Sequence, residues 1–537
     1  MPHGASGLLT VREVTFALMR ELGMTTVFGN PGSTELPFLD RWPNDFRYVL
    51  GLQESCVVGM ADGYARATGN AAFCNLHSAV GIGHAMGNVF TAFRNQAPLV
   101  ITVGQQARAL LPGNPFLGAT EAASFPKPYV KWSIEPARAE DVPAAIAHAY
   151  RTAMQRPWGP TMVSIPMDDW SVPTRPVATR RVSVDIAPDP AVLDLLAEAL
   201  ARASRPVLVV GPEVDQEGAG PALQALAEHL RAPVLASPFA SRIAFLEDHP
   251  LFAGFLAAAP AAVAAGLAGF DCVVVIGAPA FTFHVAGECT IFHDGTPIFQ
   301  LTADGEAAAA AQAGTAIIGA MRLALPALLQ RLPPTTRPAP SPRPRPAAPA
   351  PAQPLPAECL FAALRRAMPT GAIVVEEAPS HRPALQQHLP ITRWGGFYTM
   401  ASGGLGYSLP AAVGVAMAEP GRRIVAVIGD GSMMYSIQAI WTAVQHRLPI
   451  TIIVVNNAGY GAMRSFSRVL GVENAPGIEL PGLDFTQLAA GMGCTGVRVE
   501  ALAALEEALD AAFATDGPML IDVIVDHAIP HLYQRAK

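Results

Sequence analysis

Short runs of valine, isoleucine and leucine recur along the whole chain, separated by longer segments in which apolar residues repeat with helical spacing. The first third contains TTVFG (25–29), AAFCNL (71–76), LVITVG (99–104) and TMVSIP (161–166). The middle contains PVLVVG (206–211), PVLAS (233–237) and DCVVVIG (271–277), and the last third contains AIVVEE (372–377), RIVAVIGDG (423–431), ITIIVVNN (450–457) and MLIDVIV (519–525). Apolar runs without polar alternation are typical of strands covered by helices on both faces. The pattern therefore predicts an α/β protein with three doubly wound, mainly parallel-sheet domains.

Proline-rich segments divide the chain between these groups of strands. Residues 333–356 read PPTTRPAPSPRPRPAAPAPAQPLP, and because proline fixes φ and lacks an N–H donor, we expect an extended surface linker there. A softer boundary lies near 172–188, where prolines and basic residues interrupt the apolar pattern. We therefore expect domains at 1–180, 181–332 and 357–537, with the linker at 333–356.

The composition is that of a large globular protein. Of 537 residues, 51% are hydrophobic and 15% are charged, and the net charge of −7 argues against nucleic acid as the main partner. The six cysteines are scattered without paired-ligand spacing. We interpret them as buried reduced thiols of a cytoplasmic protein, with disulfides or zinc binding as the alternatives. The N-terminus lacks the pattern of a signal peptide.

One uncharged segment is long enough to span a bilayer. It runs from Leu251 to Phe270, twenty residues dominated by alanine and glycine and interrupted by Pro260. Alanine and glycine favour membrane insertion only weakly. We therefore expect a buried helical segment and no membrane partner.

Two polar motifs end neighbouring apolar runs in the last third of the chain. Gly429-Asp430-Gly431-Ser432 follows RIVAVI, and Asn456-Asn457 follows ITIIVV, with Asp430 and Asn457 27 positions apart. That separation allows a helical crossover, which would bring both side chains to one sheet edge as oxygen ligands for Mg²⁺ or Ca²⁺. A plain turn with Ser432 as a helix N-cap is the alternative for the first motif. The two motifs together resemble the diphosphate-anchoring signature of thiamine-diphosphate enzymes, which implies that Asp430, Asn457 and the carbonyl of Gly459 bind the metal.

A glutamate in the first third of the chain is a candidate for contacting the pyrimidine end of that cofactor. Glu54 ends YVLGLQE and precedes SCVVGMADGYARATG. Enzymes of this class present a glutamate to the pyrimidine ring in a similar arrangement. A charge that favours a helix N-terminus is the alternative.

Longer stretches then make the resemblance specific. FGNPGSTELPFL (28–39), NLHSAVGIGHAMG (75–87), VGQQAR (103–108), VIGAPAF (275–281) and GGLGYSLPAAVG (403–414) resemble the benzoylformate decarboxylase family of thiamine-diphosphate-dependent 2-keto acid decarboxylases. The resemblance implies a pyrimidine-binding domain, a central domain and a diphosphate-binding domain, in that order. It also implies a homotetramer with cofactor sites between subunits.

The family's polar residues correspond to Ser33, His77 and His284 in this chain. By resemblance, Ser33 would bind the substrate carboxylate, while His77 and His284 would move protons; which histidine protonates the enamine is open. Each has a structural alternative, a helix cap for Ser33 and an ordinary polar residue at a strand end for either histidine. The resemblance further assigns cofactor contacts to Pro31, Glu54, Ser380, Gly403, Leu405, Asp430, Gly431, Ser432, Asn457 and Tyr460.

The candidate substrate pocket departs from the family pattern. Thr399 and Ser465 stand where close members carry aromatic residues, and Ala378-Pro379 replace hydroxyl residues before Ser380. Phe116, Leu117, Met463 and Phe466 remain as apolar candidates. A pocket with fewer aromatic side chains can admit a different or longer substrate.

The resemblance implies an enzyme, a carboxy-lyase that converts a phenylglyoxylate-like 2-keto acid to an aldehyde and CO2 through a thiamine diphosphate ylide and enamine. The alternative activity is carboligation or lyase chemistry of the acyloin or acetolactate-synthase type. A cofactor-binding regulator without activity is the non-enzymatic alternative. The side chain of the substrate, the balance of the two activities and the pathway stay open at this level.

Overall fold

The computed structural model describes residues 8–528 and Leu532, and within them the chain forms three six-stranded sheets. Every strand pairing inside these three sheets is parallel. Buried apolar clusters cover both faces of each sheet, as expected for strands without polar alternation. The α/β fold with three doubly wound domains is therefore confirmed.

The first domain is built on a sheet of strand order β3-β2-β4-β5-β7-β6, with β1 and β8 forming a separate antiparallel pair. Its strands are β1 Leu9–Thr10, β2 Thr26–Asn30, β3 Arg47–Leu50, β4 Ala72–Leu76, β5 Leu99–Gln105, β6 Trp132–Ile134, β7 Pro160–Pro166 and β8 Pro173–Thr174. Its α-helices are α1 Val11–Glu21, α2 Leu36–Leu39, α3 Glu54–Thr68, α4 Ser78–Arg94 and α5 Val142–Ala153. The strand order reverses between β2 and β4, where ligands bind in such sheets.

The central domain has the sheet order β11-β10-β9-β12-β13-β14. Its strands are β9 Pro206–Val210, β10 Val234–Ala236, β11 Phe252–Phe255, β12 Cys272–Ile276, β13 Ile298–Thr302 and β14 Thr315–Ile318. Its helices are α6 Pro190–Arg202, α7 Pro212–Gln216, α8 Gly220–Leu230, α9 Pro260–Leu267, α10 Gly305–Ala309 and α11 Met321–Leu329. This is the strand order of dinucleotide-binding folds.

The third domain has the order β16-β15-β17-β18-β20-β19, which repeats the connectivity of the first domain. Its strands are β15 Ile373–Glu377, β16 Phe397–Thr399, β17 Ile424–Gly429, β18 Ile450–Asn456, β19 Thr495–Val499 and β20 Met519–Ile524. Its helices are α12 Ala357–Ala367, α13 Arg382–His388, α14 Ser408–Ala418, α15 Asp430–Ser436, α16 Ala439–Gln445, α17 Gly461–Leu470, α18 Phe485–Gly491 and α19 Leu502–Ala514.

The uncharged segment from Leu251 to Phe270 is not one buried helix, so that prediction was wrong. It contains the edge strand β11 and then the helix α9, which begins at Pro260. Proline at the first helical position needs no N–H donor, so Pro260 starts the helix instead of interrupting it. No helix in the described part of the chain is long and apolar enough to cross a membrane.

The proline-rich segment 333–352 contains neither helix nor strand and runs along the central domain. Arg337 attaches it by donating from Nε to the carbonyl of Ala203 at 2.9 Å and by further bonds to the carbonyls of Leu230 and Leu200. This segment is thus held by backbone carbonyls at helix ends. All six cysteines are buried free thiols.

Helices α3 and α14 bring the first and third domains into contact. A Cβ atom on Gly414 would lie 1.9 Å from the carbonyl oxygen of Met60, and one on Gly63 would lie 2.2 Å from that of Ala411. Glycine at these positions therefore allows the two backbones to touch. Glu54 lies at the start of α3, and the GGLG loop precedes α14, so this contact relates two segments of the candidate site.

Candidate active site

Asp430 is the first residue of α15 and directly follows β17. Its Oδ1 accepts a hydrogen bond from the N–H of Gly431 at 2.7 Å, and its Oδ2 accepts one from the N–H of Gly459 at 2.8 Å. Burial raises the pKa of Asp430 to about 6, although both backbone bonds and the nearby Arg464 oppose that shift. A carboxylate in this setting is suited to a cation, because a positive charge would offset the cost of burial.

Asn457 lies beside Asp430 because β17 and β18 are neighbours, with Gly429 opposite Val455. Within the described residues, the buried Nδ2 of Asn457 has no hydrogen-bond partner. The preceding Asn456 is different, since its Nδ2 donates to Asp522 at 2.9 Å and its Oδ1 accepts from the N–H of Ala458. Asn456 therefore holds the turn, whereas Asn457 presents an N–H2 donor that lacks an acceptor, such as a phosphate oxygen would supply.

Ser380 and Tyr460 complete a polar cradle around Asn457. A Cβ atom on Gly461 would lie 2.7 Å from Nδ2 of Asn457 and 2.9 Å from Oγ of Ser380. The side chains of Asn457 and Ser380 therefore lie next to each other, over the backbone of Gly461. A Cβ on Gly431 would lie 2.3 Å from the ring of Tyr460. Both glycines thus leave room that any other residue would fill.

The cradle fits a diphosphate with a divalent cation. Its donors are backbone N–H groups at the start of α15 and the hydroxyls of Ser380 and Ser432; its hard oxygen ligands are Asp430, the Asn457 amide and the Gly459 carbonyl. That carbonyl accepts one bond, from the N–H of Gly461 at 3.0 Å, and retains a second lone pair. Among the described residues no group of three or more His, Cys, Asp or Glu side chains could hold a metal.

Ser432 is not the N-cap of the helix that follows β17, which was the alternative interpretation of this motif. Ser432 lies within α15, and the N-cap residue is Gly429, which makes no side-chain cap bond. Ser432 is also buried. Its hydroxyl is therefore placed inside the cradle and does not cap the helix.

The cradle opens into a cavity of about 830 Å³ between the central and third domains. Of the sequence-predicted residues, those on its wall are His284, Ser380, Gly403, Leu405, Asp430, Gly431, Ser432, Asn457, Gly459, Tyr460, Met463 and Phe466. The ring of His284 lies 4.7 Å from that of Phe466 and 6.0 Å from that of Phe239. His284 is thus brought to the diphosphate cradle from a different domain.

Glu54, Ser33 and His77 do not line this cavity. They lie together at the carboxyl ends of β2, β3 and β4 of the first domain. Glu54 is the first residue of α3, and its Oε2 lies 3.1 Å from Nδ1 of His84. Within a single chain, the predicted site is therefore divided into two groups of residues.

His77 is held by Glu35, a residue for which no role was predicted from the sequence. The Nδ1 of His77 lies 2.8 Å from Oε2 of Glu35 and 3.0 Å from Oγ1 of Thr34. The same Glu35 oxygen accepts the N–H of Gly32 at 2.8 Å, which fixes the turn carrying Pro31 and Ser33. Glu35 lies inside the FGNPGSTELPFL motif. A charged residue in this otherwise uncharged segment was the signal that could have identified it. The cap alternative for Ser33 is not seen, since α2 begins after Glu35.

The remaining pocket candidates are dispersed. Phe116 belongs to the first domain and is 98% exposed, and the carbonyl of its neighbour Leu117 accepts a bond from Ser78 at 2.8 Å. Thr399 is buried away from the cavity, where its hydroxyl donates to the carbonyl of Glu376 at 2.8 Å. Ser465 is buried and accepts the N–H of Leu532 at 3.4 Å. The structure therefore places neither Thr399 nor Ser465 on the cavity wall.

Models of known protein families match a segment in each of the three domains. The chain matches the N-terminal TPP binding domain, the central domain and the C-terminal TPP binding domain of thiamine pyrophosphate enzymes at 9–125, 193–328 and 378–523. It is 44% identical to benzoylformate decarboxylase of Pseudomonas aeruginosa over 96% of this chain and 98% of that protein.

A solved structure and a more distant relative complete the comparison. The thiamine diphosphate-dependent 4-hydroxybenzoylformate decarboxylase of Rhodococcus jostii RHA1 superposes with a TM-score of 0.93 at 41% identity, over 97% of this chain and all of that one. Acetolactate synthase isozyme 2 large subunit of Escherichia coli is 28% identical over 95% of this chain and 94% of that protein.

The fold and the three matched domains are those of a thiamine-diphosphate-dependent 2-keto acid decarboxylase. Within that class, the chain belongs to the benzoylformate decarboxylase family.

Proposed function

We propose that this enzyme decarboxylates an aryl 2-keto acid such as phenylglyoxylate to the aldehyde and CO2, in a site shared by two copies of the chain. The observation that carries the proposal is the division of the polar groups. The diphosphate cradle and His284 share one cavity, whereas Glu54, Ser33 and His77 lie outside it. A second copy would bring its first domain to this cavity and so complete the site. Phe116 and Leu117 of that copy would then face the substrate, which is in keeping with the 98% exposure of Phe116 in one chain.

Bound thiamine diphosphate would supply the carbon nucleophile and the electron sink for decarboxylation. Asp430, Asn457 and the Gly459 carbonyl would hold Mg²⁺ or Ca²⁺, with Gly431, Ser432, Ser380 and Tyr460 around the diphosphate. Gly403 and Leu405 would contact the pyrimidine end from the cavity wall, opposite Glu54 and Pro31 of the other copy. Glu54 would exchange a proton with the pyrimidine ring nitrogen.

The substrate groups would be met by the remaining polar residues. Ser33 would donate a hydrogen bond to the substrate carboxylate. His77, held through Nδ1 by Glu35, would present its other ring nitrogen to the carbonyl oxygen. His284 would deliver a proton from the opposite side of the cavity. Met463 and Phe466 would bound the aryl group, with Thr399 and Ser465 behind that wall.

We further infer a homotetramer in the cytoplasm, with the domain bounds 1–180, 181–332 and 357–537. The six free thiols support a reducing compartment. Carboligation of the product with a second aldehyde is the secondary activity. It ranks second because the chain is 28% identical to the acetolactate synthase but 44% identical to the benzoylformate decarboxylase.

The first experiment measures CO2 release and aldehyde formation by the protein loaded with thiamine diphosphate and Mg²⁺. Phenylglyoxylate and 4-hydroxyphenylglyoxylate are compared with pyruvate and a branched 2-keto acid, each with and without added aldehyde. We expect the highest kcat/KM for the aryl acids and free aldehyde as the main product. Preference for pyruvate with acyloin or acetolactate as the product would contradict the proposal.

The second experiment tests the shared site by co-expressing two inactive variants. Glu54→Gln and Asp430→Asn should each lose at least about a hundredfold in kcat. In a mixed dimer, one of the two sites combines an intact Glu54 from one chain with an intact Asp430 from the other. Random mixing should therefore restore about a quarter of wild-type activity. No recovery in verified mixed oligomers would show that each chain supplies its own complete site.

A further inference from the structure

Glu377 is a fully buried carboxylate at the carboxyl end of β15. Its Oε1 accepts the N–H of Gly406 at 2.6 Å, and its Oε2 accepts the N–H groups of Tyr407 at 2.8 Å and Ser408 at 2.7 Å. The three donors are consecutive in the chain and form the start of α14. One side chain thus holds three successive backbone groups.

The segment held in this way is the loop from 402 to 407. Gly403 and Leu405 of this loop line the cavity, while Gly403 and Gly406 have φ angles of +73° and +96°. A Cβ on Gly406 would lie 2.7 Å from Cβ of Tyr435, so the loop is also packed tightly. These φ angles are unfavourable for most residues, so the loop depends on glycine at both positions.

The other contacts of the loop come from the first domain. The hydroxyl of Tyr407 donates to Asp62 at 2.6 Å and accepts from Arg66 at 2.7 Å. The hydroxyls of Ser402 and Thr91 lie 2.9 Å apart. These contacts hold side chains at the two ends of the loop, and Asn88 donates from Nδ2 to the carbonyl of Gly406 at 3.2 Å. Among the described residues, Glu377 is the side chain that accepts from consecutive backbone N–H groups directly after Leu405.

Glu377 is close in sequence to a residue of the diphosphate cradle. Ser380 follows three residues later and lies in the diphosphate cradle beside Asn457. The end of β15 therefore touches both the cradle and the loop that faces the pyrimidine. A charged acceptor at a helix start makes strong hydrogen bonds to the N–H groups there.

We propose that Glu377 is a positioning residue that sets the loop carrying Gly403 and Leu405 at a defined distance from the diphosphate cradle, so that both ends of one cofactor are accepted together. This inference rests on the proposed function. Glu377 acts through the backbone and touches neither cofactor nor substrate. Its loss should leave the cradle intact and release the pyrimidine end.

The test compares Glu377→Gln with a matched control, Glu213→Gln. Glu213 is also a buried carboxylate, and it accepts the Thr302 hydroxyl and the Ala303 N–H at 2.7 Å each, but it does not line the cavity. In Glu377→Gln the amide keeps one acceptor oxygen and turns an N–H2 donor toward a backbone donor. Glu377→Asp keeps the charge on a shorter side chain and serves as the second variant if the amide variant does not fold.

Three measurements are made on the full-length protein. Hydrogen exchange of the peptide covering 400–410 in the cofactor-free protein reports on the loop itself. Calorimetric titration with thiamine diphosphate in the presence of Mg²⁺ gives the cofactor Kd. Turnover of phenylglyoxylate at saturating cofactor gives kcat and KM separately.

We expect Glu377→Gln to raise exchange in 400–410 and to weaken cofactor binding about tenfold or more, with Glu377→Asp intermediate. kcat at saturating cofactor should fall while KM changes little, and Glu213→Gln should change none of these. A variant with wild-type exchange and wild-type cofactor Kd would overturn the proposal, as would a fall in melting temperature alone. If wild-type protein fails to turn over aryl acids, exchange and cofactor affinity still decide the role of Glu377.

Discussion

Glu35 shows how much of the site depends on a single buried side chain. It is 1% exposed, and its carboxylate joins the turn at Gly32 to the ring of His77. Its other oxygen accepts the hydroxyl of Thr34 at 2.6 Å. The residue therefore positions both the turn carrying Ser33 and the histidine that faces it.

We predict that Glu35→Gln lowers kcat about 10- to 100-fold with a smaller change in the KM for phenylglyoxylate. The amide cannot stabilise a protonated His77 as the carboxylate does, so proton transfer should suffer more than binding. Steady-state kinetics between pH 5.5 and 8.5 would check this, with Glu21→Gln on the surface of α1 as the control. Wild-type kcat across that pH range would rule out the positioning role.

At the scale of elements, the crossing of α3 and α14 decides where two site segments lie. The helices touch backbone to backbone at Gly63 and Gly414, and a Cβ atom on Gly59 would lie 2.8 Å from Cγ of Pro410. These glycines lie on facing stripes of two helices that are buried along most of their length. The close approach exists because no side chain keeps the helices apart.

Gly414→Ala should destabilise the protein, because the new methyl group would meet the Met60 carbonyl oxygen at 1.9 Å and the Tyr64 nitrogen at 2.7 Å. Overpacking of this kind costs about 1–3 kcal/mol. Gly491→Ala, at the end of α18 with nothing within 4 Å of the new atom, is the control and should be neutral or slightly stabilising. Urea unfolding midpoints of both variants would decide; equal midpoints would mean that the helices separate at no cost.

At the scale of the molecule, one arginine ties the three domains together. Arg66 of α3 donates to the carbonyl of Thr399 at 3.0 Å, to the carbonyl of Ser241 at 2.7 Å and to the hydroxyl of Tyr407 at 2.7 Å. Its own carbonyl accepts from Arg242, whose Nε donates to Asp215 at 2.7 Å. All of these groups are buried, so the network replaces water at the junction of the domains.

We predict that Arg66→Met lowers the stability of the whole protein by about 3–5 kcal/mol, because the buried Asp62 would lose its positively charged partner at 3.8 Å and the carbonyl of Thr399 would lose the Arg66 donor. Arg20→Met is the control: the Arg20–Asp45 pair is 42% and 53% exposed and should contribute less than about 1 kcal/mol. Chemical unfolding monitored by fluorescence would measure both. A small effect at Arg66 would mean that the domains are held by apolar contacts alone.

The contact of the central domain with the third should depend on pH through Glu247. Its carboxylate accepts the N–H of Ile391 at 3.1 Å, and burial raises the pKa of Glu247 from 4.5 to about 8. Because the folded pKa is the higher one, the stabilisation is complete below pH 4.5 and is lost as the pH rises through about 8.

The stability of Glu247→Gln should therefore increase relative to that of the wild type as the pH rises. Between pH 5 and pH 9 the difference in melting temperature, variant minus wild type, should increase by about 2 °C or more. Glu198→Gln, with a side chain that is 63% exposed, should show no such trend. A difference that stays constant with pH would contradict the raised pKa.

Some strands were missed, and the reason is physical. Edge strands such as β11 and β19 have exposed positions, and Arg498 lies within β19, so no continuous apolar run marks them. The inner strand β13 contains Gln300, whose amide is buried and bonded to the carbonyl of Ala278. Polar residues that are satisfied inside the fold look like loop residues in a sequence.

The sequence by itself determined most of the buried strands, the three-domain order and the motifs around Asp430, Asn457 and Glu54, because these depend on local periodicity and on residues close together in the chain. Tertiary structure alone decided that Glu54 and Asp430 fall in separate groups within one chain and that Glu35 holds His77. It also decided that Glu377 supports the loop before α14. Such contacts join residues that are distant in sequence, and only the packing of helices on sheets sets their distances.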